Sequence, residues 1–528
     1  MPINLPRRSV ATRVLPRPAR PFGALPGDPG APPSPTVSVS RPGYQSLLGQ
    51  MFPQPEPGPR TARGRILCVG ALLGVLALGT VLTILRQQGV AATNSVWAED
   101  ASKFLTQAAV LGPWHAIWQP VGGFLNLWPR LLAALTVEVS APAAAAVWIA
   151  VTAALTSTAC GLIVYVASAG HVRSRSLRAL LALTVILPTV GNGQIANDWN
   201  NLHWYFVIVA LWVLLWRPRS TGVRILAGVV AGIGTATDPT CLLLAPLVVA
   251  RLVVVKDWRE QAQVGGWAVG GLAQLAVVIA GITGVHKLFL PSFAALVSSW
   301  PIRVGLGSLV GPVLTNDLFQ GIGWVGAAVA TVVLAAVAGA ALAAPGRHRL
   351  LISGLLLASF FWYMATYLVR LEAAFIPGSA DLAVGVRYAA VPTWFVVSAL
   401  VLVLDRLVAG WGRASPQLTG ATGWGRASPQ LTGASPAAAR PALAVATAVV
   451  VGLVLASVAT SFPASRNARQ NGPAWAPALL SASVTCAAGV GVVGTDPPAV
   501  PVATAPLIRP TPMWYAFVPC RDGKLAWR

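Results

Sequence analysis

The sequence predicts an all-α polytopic membrane protein with about eleven transmembrane helices. Three observations predict it. Hydrophobic residues make up 55% of the 528 residues and charged ones only 10%, against roughly 25% in an average soluble domain. The mean hydropathy is +0.68. The apolar runs are roughly 20 residues long, the length a helix needs to cross a bilayer, and lack the alternation of barrel strands.

Residues 1–65 read as a tail. It is Pro-rich and poor in aromatics, with arginines from Arg7 and Arg8 to Arg63 and Arg65, a composition that predicts disorder. Such a tail fixes orientation and touches anionic lipid on the cytoplasmic side. The net charge of +22 therefore does not point to nucleic acid as a partner, since the remaining basic residues sit in short loops. The first apolar run begins near Ile66, far from the N-terminus and long enough to span, so no cleavable signal peptide is expected.

The transmembrane region is expected over 66–460. Apolar runs predict helices at Ile66–Leu85, Ala141–Ser168, Leu177–Val190, Leu202–Trp216, Val223–Thr237, Thr240–Val255, Gly265–Val285, Leu318–Ala343, Leu350–Leu368, Tyr388–Leu407 and Pro441–Thr460. The fifth and sixth are short and divide at Asp238-Pro239, where the proline predicts a turn; one long kinked helix is the alternative. With the N-terminus inside, the cytoplasmic loops are His171–Arg175, Arg217–Arg219, Lys256–Arg259, Gly346–Arg349 and the segment after Asp405-Arg406. Each carries Lys or Arg, as the positive-inside rule requires, and this alternation favours two helices at Asp238-Pro239. The cytoplasmic linker 409–440 contains a tandem duplication, Gly410–Ala421 recurring as Gly423–Ala434, too few copies for a solenoid.

Two outside segments are long. The first outer loop, 86–140, holds amphipathic stretches at Trp97–Leu111 and Phe124–Leu135, expected at the membrane surface. The second, 461–528, reads as a small extracytoplasmic cap with strand-like pieces at Val490–Val493 and Ala516–Val518. Its Cys486 and Cys520 fall on the side where disulfides form, so a bridge is expected. Cys68, Cys160 and Cys241 lie in apolar runs and read as packing residues.

Only 15 residues are acidic, which makes the adjacent Glu99 and Asp100 informative. A carboxylate pair at a membrane surface can serve as a general base or bind a divalent cation; it can also be an ordinary solvated pair. His203, beside Asp198, Asn200, Asn201 and Trp204, either orients a carboxylate or contacts substrate, or caps a helix at the interface. Arg387, at the mouth of the tenth helix beside Tyr388, suits phosphate, because guanidinium forks match phosphate oxygens. Arg130 and Arg370 either do the same or anchor the interface by snorkelling. No phosphate-binding Gly-x-x-x-x-Gly-Lys loop, His-Glu-x-x-His helix or Gly-x-Ser-x-Gly elbow is present.

With its acidic pair soon after the first helix, in Trp97-Ala98-Glu99-Asp100, the chain resembles the GT-C superfamily of polytopic, polyprenyl-phosphate-sugar-dependent glycosyltransferases. Gln119–Arg130, Asn201-Leu202-His203-Trp204 and Arg387–Pro392 are similar to segments of related actinobacterial-type membrane proteins. The sequence departs from the pattern at Ala101-Ser102, where Gly is expected, and in its small cap. The resemblance implies transfer of a sugar from a polyprenyl-phosphate donor to a cell-envelope acceptor at the outer face of the plasma membrane. Asp100 or Glu99 is then the catalytic base, with His203, Arg387, Tyr388 and Arg130 on the substrate. No cofactor is firmly implied beyond a divalent cation at Glu99 and Asp100. A secondary transporter or flippase of a lipid-linked precursor, or a non-catalytic envelope scaffold, are the rival expectations.

Overall fold

The structure, a computed structural model, describes residues 48–54, 61–280, 299–344, 346–369, 386–413, 436–463, 472–488, 492–493, 501–506 and 515–527. All belong to the unit Gly43–Arg528; a second unit, Met1–Pro42, lies outside the described residues, as do Arg370 and the duplicated segment over 414–435.

The described chain is mostly helical. Helix α1 spans Ala62–Leu85, opened by Thr61, whose hydroxyl accepts from Gly64 N at 3.1 Å. At its end the buried Arg86 guanidinium donates to Pro188 O and Ser461 O at 2.8 Å each and to Phe462 O at 3.1 Å. One side chain thereby ties the end of α1 to two distant chain segments.

The first long loop is not laid on a surface as its amphipathic pattern suggested. A π-helical turn, Asp100–Leu105, runs into a short helix at Thr106–Val110, and α2 follows at Leu127–Val139. Val96, Trp97, Ala98, Ala101, Phe104 and Leu105 are all buried in the main core. The apolar stripes pack inward against protein, which satisfies them as well as lipid does.

Helix α3, Ala145–Ala167, is extended at both ends by 3-10 turns. Helix α4, Arg175–Ile186, is capped by Ser174 and stops short of the predicted Val190. Pro188, which lacks an N–H, follows it closely. Helix α5, His203–Leu215, is buried at every residue and forms the centre. Helix α6, Thr221–Thr237, ends at Asp238; a 3-10 stretch Pro239–Leu244 leads to α7, Ala245–Val254. The chain thus breaks at Asp238-Pro239.

Helix α8, Ala262–Ile279, packs against α6 along glycines. A Cβ on Gly228 would meet Ala262 O at 2.6 Å, and one on Gly266 would collide with the Gly228 carbonyl. Small residues let two backbones approach, as at membrane helix interfaces generally.

The predicted helix at Leu318–Ala343 is corrected. A π-helical turn, Pro301–Leu306, opens into α9, Gly307–Ile322, and α10 is a separate helix, Trp324–Leu342. Gly323 between them has φ 54°, a left-handed conformation that interrupts the helix and that glycine adopts freely.

Helices α11, Gly346–Val369, α12, Ala390–Arg413, and α13, Pro436–Thr460, complete the bundle. Asp405 of α12 accepts from Arg173 N and Ser174 N at 3.0 and 2.7 Å, tying α12 to the start of α4.

The C-terminal segment adds α14, Trp475–Ala487, absent from the sequence reading, and a four-stranded antiparallel sheet in the order β1–β2–β3–β4. The strands are Val492–Val493, Pro501–Pro506, Tyr515–Arg521 and Lys524–Leu525. Cys486 of α14 and Cys520 of β3 form a disulfide, their Cα atoms 5.6 Å apart.

Residues 48–54 also depart from the sequence reading, which placed them in a disordered tail. Phe52 is 1% exposed, Arg217 donates to its carbonyl at 3.2 Å, and the buried Arg251 guanidinium lies 5.7 Å from its ring.

Among the described residues five helices are long and apolar enough to cross a membrane: Ala62–Leu85, Pro142–Gly170, Ala262–Ile279, His348–Leu368 and Arg387–Ala409. Further apolar helices are shorter. The chain is therefore read as membrane-embedded, with five such spans where the sequence predicts about eleven.

Candidate functional site

The segment Gln194–Trp204, which enters α5, is the hub of the site. Asp100 is 0% exposed. Its Oδ2 accepts from Trp199 N at 3.0 Å and its Oδ1 from Asn200 N at 2.9 Å. The carboxylate therefore ties the first long loop to the hub. Trp199 is fixed in turn by Nε1 donating to Thr152 on α3 at 2.8 Å.

Asp198 Oδ1 accepts from Asn201 N at 2.8 Å and Nδ2 at 2.9 Å. This is the local capping geometry of a short polar side chain before a helix, and it fixes the turn that delivers His203 to the start of α5. His203 Nδ1 lies 2.7 Å from Asp238 Oδ2. Asp238 Oδ1 accepts from Thr240 N and Thr240 Oγ1 at 2.7 and 2.6 Å, which locks the carboxylate in the α6–α7 turn. The His203 ring also lies 4.1 Å from Trp204 and 5.5 Å from Phe124, centroid to centroid.

Arg387 and Tyr388 reach the same hub from the 3-10 turn Val386–Ala389 before α12. Arg387 N donates to Gln194 Oε1 at 3.3 Å. Its guanidinium donates to Tyr388 Oη at 3.0 Å and lies 4.9 Å from that ring. Tyr388 stands edge-on to Trp204 at 5.8 Å, and Trp204 Nε1 donates to Asn201 Oδ1 at 3.3 Å. Asp100, His203, Arg387 and Tyr388 are thus joined through one short segment.

Glu99 and Arg130 differ from these four. Glu99 Oε2 is buried without a hydrogen-bond partner. Arg130 is 1% exposed, and none of its three guanidinium nitrogens is bonded. Its guanidinium lies 5.0 Å from the Phe104 ring, and burial pushes its pKa down to about 9. Snorkelling anchors keep their charge in water; Arg130 does not. Among the described residues no group of three or more His, Cys, Asp or Glu stands close enough to hold a metal ion.

Sequence reasoning missed three participants. Asp238 read as a turn residue, yet it is the partner of His203. Gln194 had no signal except its nearness to Asp198. Asn126 has φ 51°, is 0% exposed and leaves both amide atoms unpaired. Its only trace in the sequence is its position just ahead of α2, four residues before Arg130. Comparison with protein-family models, with curated proteins and with solved structures returns no match, so the site is interpreted from its own geometry.

Proposed function

We propose that the protein is a membrane glycosyltransferase of the GT-C kind, moving a sugar from a polyprenyl-phosphate donor to a cell-envelope acceptor at the outer face of the plasma membrane. One observation supports this reading: the Asp100 carboxylate, a His–Asp pair and an arginine–tyrosine pair meet at Gln194–Trp204. The sequence has no Gly-x-x-x-x-Gly-Lys loop, His-Glu-x-x-His helix or Gly-x-Ser-x-Gly elbow, whereas glycosyl transfer needs a base, an anion partner and little else.

The acceptor hydroxyl oxygen attacks the anomeric carbon as the bond from that carbon to the phosphate oxygen breaks. The electron pair leaves with the polyprenyl phosphate, and the hydroxyl proton passes to a carboxylate. Asp100 has both oxygens engaged by backbone N–H groups, so it is the positioning residue and Glu99, with an unengaged oxygen, is the base. With Nδ1–H donating to Asp238, His203 presents Nε2 as an acceptor to a sugar hydroxyl. Arg387, held by Tyr388, takes the leaving phosphate.

The test is transfer from a radiolabelled polyprenyl-phosphate sugar by the purified chain, with and without EDTA. Glu99→Gln is expected to lower kcat by about 10²–10⁴, the usual worth of a general base. Equal transfer by wild type and Glu99→Gln overturns the assignment of the base. No transfer by wild type from any such donor overturns the proposed function.

A further inference from the structure

The π-helical turn Asp100–Leu105 ends on Thr106, and its hydrogen bonding runs through that residue twice. Thr106 N donates to Ala101 O, the i→i+5 bond that defines a π turn. The Thr106 hydroxyl donates to the same carbonyl at 2.7 Å. In an α-helix Ala101 O would instead accept from Leu105 N. The second donor, from a side chain, weights this carbonyl toward the π register, which is rare and confined mostly to single turns.

The hydroxyl is itself held from the cap. Phe517 N on β3 donates to Thr106 Oγ1 at 3.1 Å, and Phe517 O stands 3.4 Å from the same atom. On one edge β3 pairs with β2 from Tyr515 to Pro519; on the other, β4 covers only Cys520 and Arg521. Thr106 therefore meets the backbone of Phe517 where a further strand would otherwise pair. The strand is fixed by the Cys486–Cys520 disulfide to α14. Its Ala516 and Val518 side chains share the main core with Phe104, Leu105 and Ala108 of the first loop. In the other direction Thr106 leads to the site: Ala101 follows Glu99 and Asp100, and the Asp100 carboxylate accepts from Trp199 N and Asn200 N.

We propose that Thr106 is a positioning residue: clasped by β3, its hydroxyl keeps the turn in the π register that presents Glu99 and Asp100 to the hub. The catalytic consequence rests on the function proposed above; the clasp itself does not. Relaxation to an α turn would rotate Glu99 and Asp100 by one residue, about 100°, relative to Thr106. That rotation withdraws the Asp100 carboxylate from Trp199 N and Asn200 N. The cap thereby acts on the site through one hydroxyl.

The experiment uses the purified full chain in nanodiscs. Thr106→Val keeps the shape of the side chain and removes its hydroxyl, whereas Thr106→Ser keeps the hydroxyl. Hydrogen exchange at the Trp199 and Asn200 amides, read by mass spectrometry, reports the hold of Asp100. Thr106→Val should raise it about fivefold, the worth of one hydrogen bond, while the amides of α4 keep their protection and show the fold intact. It should also lower kcat for sugar transfer about 10-fold or more at an unchanged KM. Thr106→Ser should restore both. The Cys486→Ser/Cys520→Ser double variant should raise the same exchange when introduced alone and add nothing to Thr106→Val, because both changes release one clasp. Unchanged exchange at Trp199 and Asn200 in Thr106→Val overturns the inference. So does Thr106→Ser behaving as Thr106→Val, since the hydroxyl would then not be the group that acts. Fully additive effects of Thr106→Val and loss of the disulfide overturn it as well, because the cap would then act by another route. Raised exchange with kcat unchanged confines Thr106 to a structural role and overturns it too. Raised exchange in a protein that transfers sugar from no polyprenyl-phosphate donor leaves the clasp standing while the proposed function fails.

Discussion

Arg130 shows how much a single side chain reveals at the residue scale. A buried guanidinium without a bonded partner is destabilising in the free protein. Arg130→Leu should therefore raise stability, by about 1–3 kcal/mol, which thermal unfolding in detergent checks. Because the folded-state pKa lies near 9, below the ordinary arginine range, the unfolded chain binds more protons between the two. The penalty is present in full below about pH 9 and fades as pH rises above it. The stability advantage of Arg130→Leu should accordingly shrink between pH 8 and pH 10.5, as read from paired unfolding midpoints. Asp238 makes the opposite case. Asp238→Asn keeps the turn geometry but weakens the hold on His203, so transfer should fall about 10-fold or more with little change in unfolding temperature.

At the scale of elements, the seam between α6 and α8 tolerates little added volume. Gly266→Val places a side chain against the Gly228 carbonyl and should cost about 1–3 kcal/mol. Gly265→Ala meets nothing within 4 Å and should be neutral or slightly stabilising; thermal shift in detergent separates the two. The same elements show what was legible beforehand. Hydrophobic run length located α1, α3, α5 and α12 well, because each apolar stretch coincides with one helix. It failed around Gly323, where apolar residues continue through a backbone reversal and hydropathy registers no break. It also misjudged Trp97–Leu111, since an apolar stripe reads alike whether it meets lipid or protein. In the site, Glu99, Asp100, His203 and Arg387 stood out as scarce charges in apolar surroundings. Gln194 and Asp238 did not, because their roles arise from contacts between segments far apart in the chain.

At the scale of the whole molecule, the alternation of basic loops sets the proposed orientation. An N-terminal tag should be shielded from external protease in intact cells and a C-terminal tag cleaved; the reverse result removes the outer-face assignment of Glu99 and Asp100. The cap closes over the first loop through particular bonds: Phe517 N donates to Thr106 Oγ1 at 3.1 Å across 411 residues, and Ala476 N donates to Asn94 Oδ1 at 3.1 Å. Thr106 directly follows the π-helical turn that begins at Asp100. At ribosomal speeds of about 5–20 residues per second, roughly 20–80 s separate the two partners of the Phe517–Thr106 bond. Throughout that interval the loop holding Glu99 and Asp100 waits uncovered, and a nascent chain released before β3 never gains its closure. Strand β3, made long after the loop it bonds, thus sets when that loop is closed, so products truncated before β3 would lack the finished first loop.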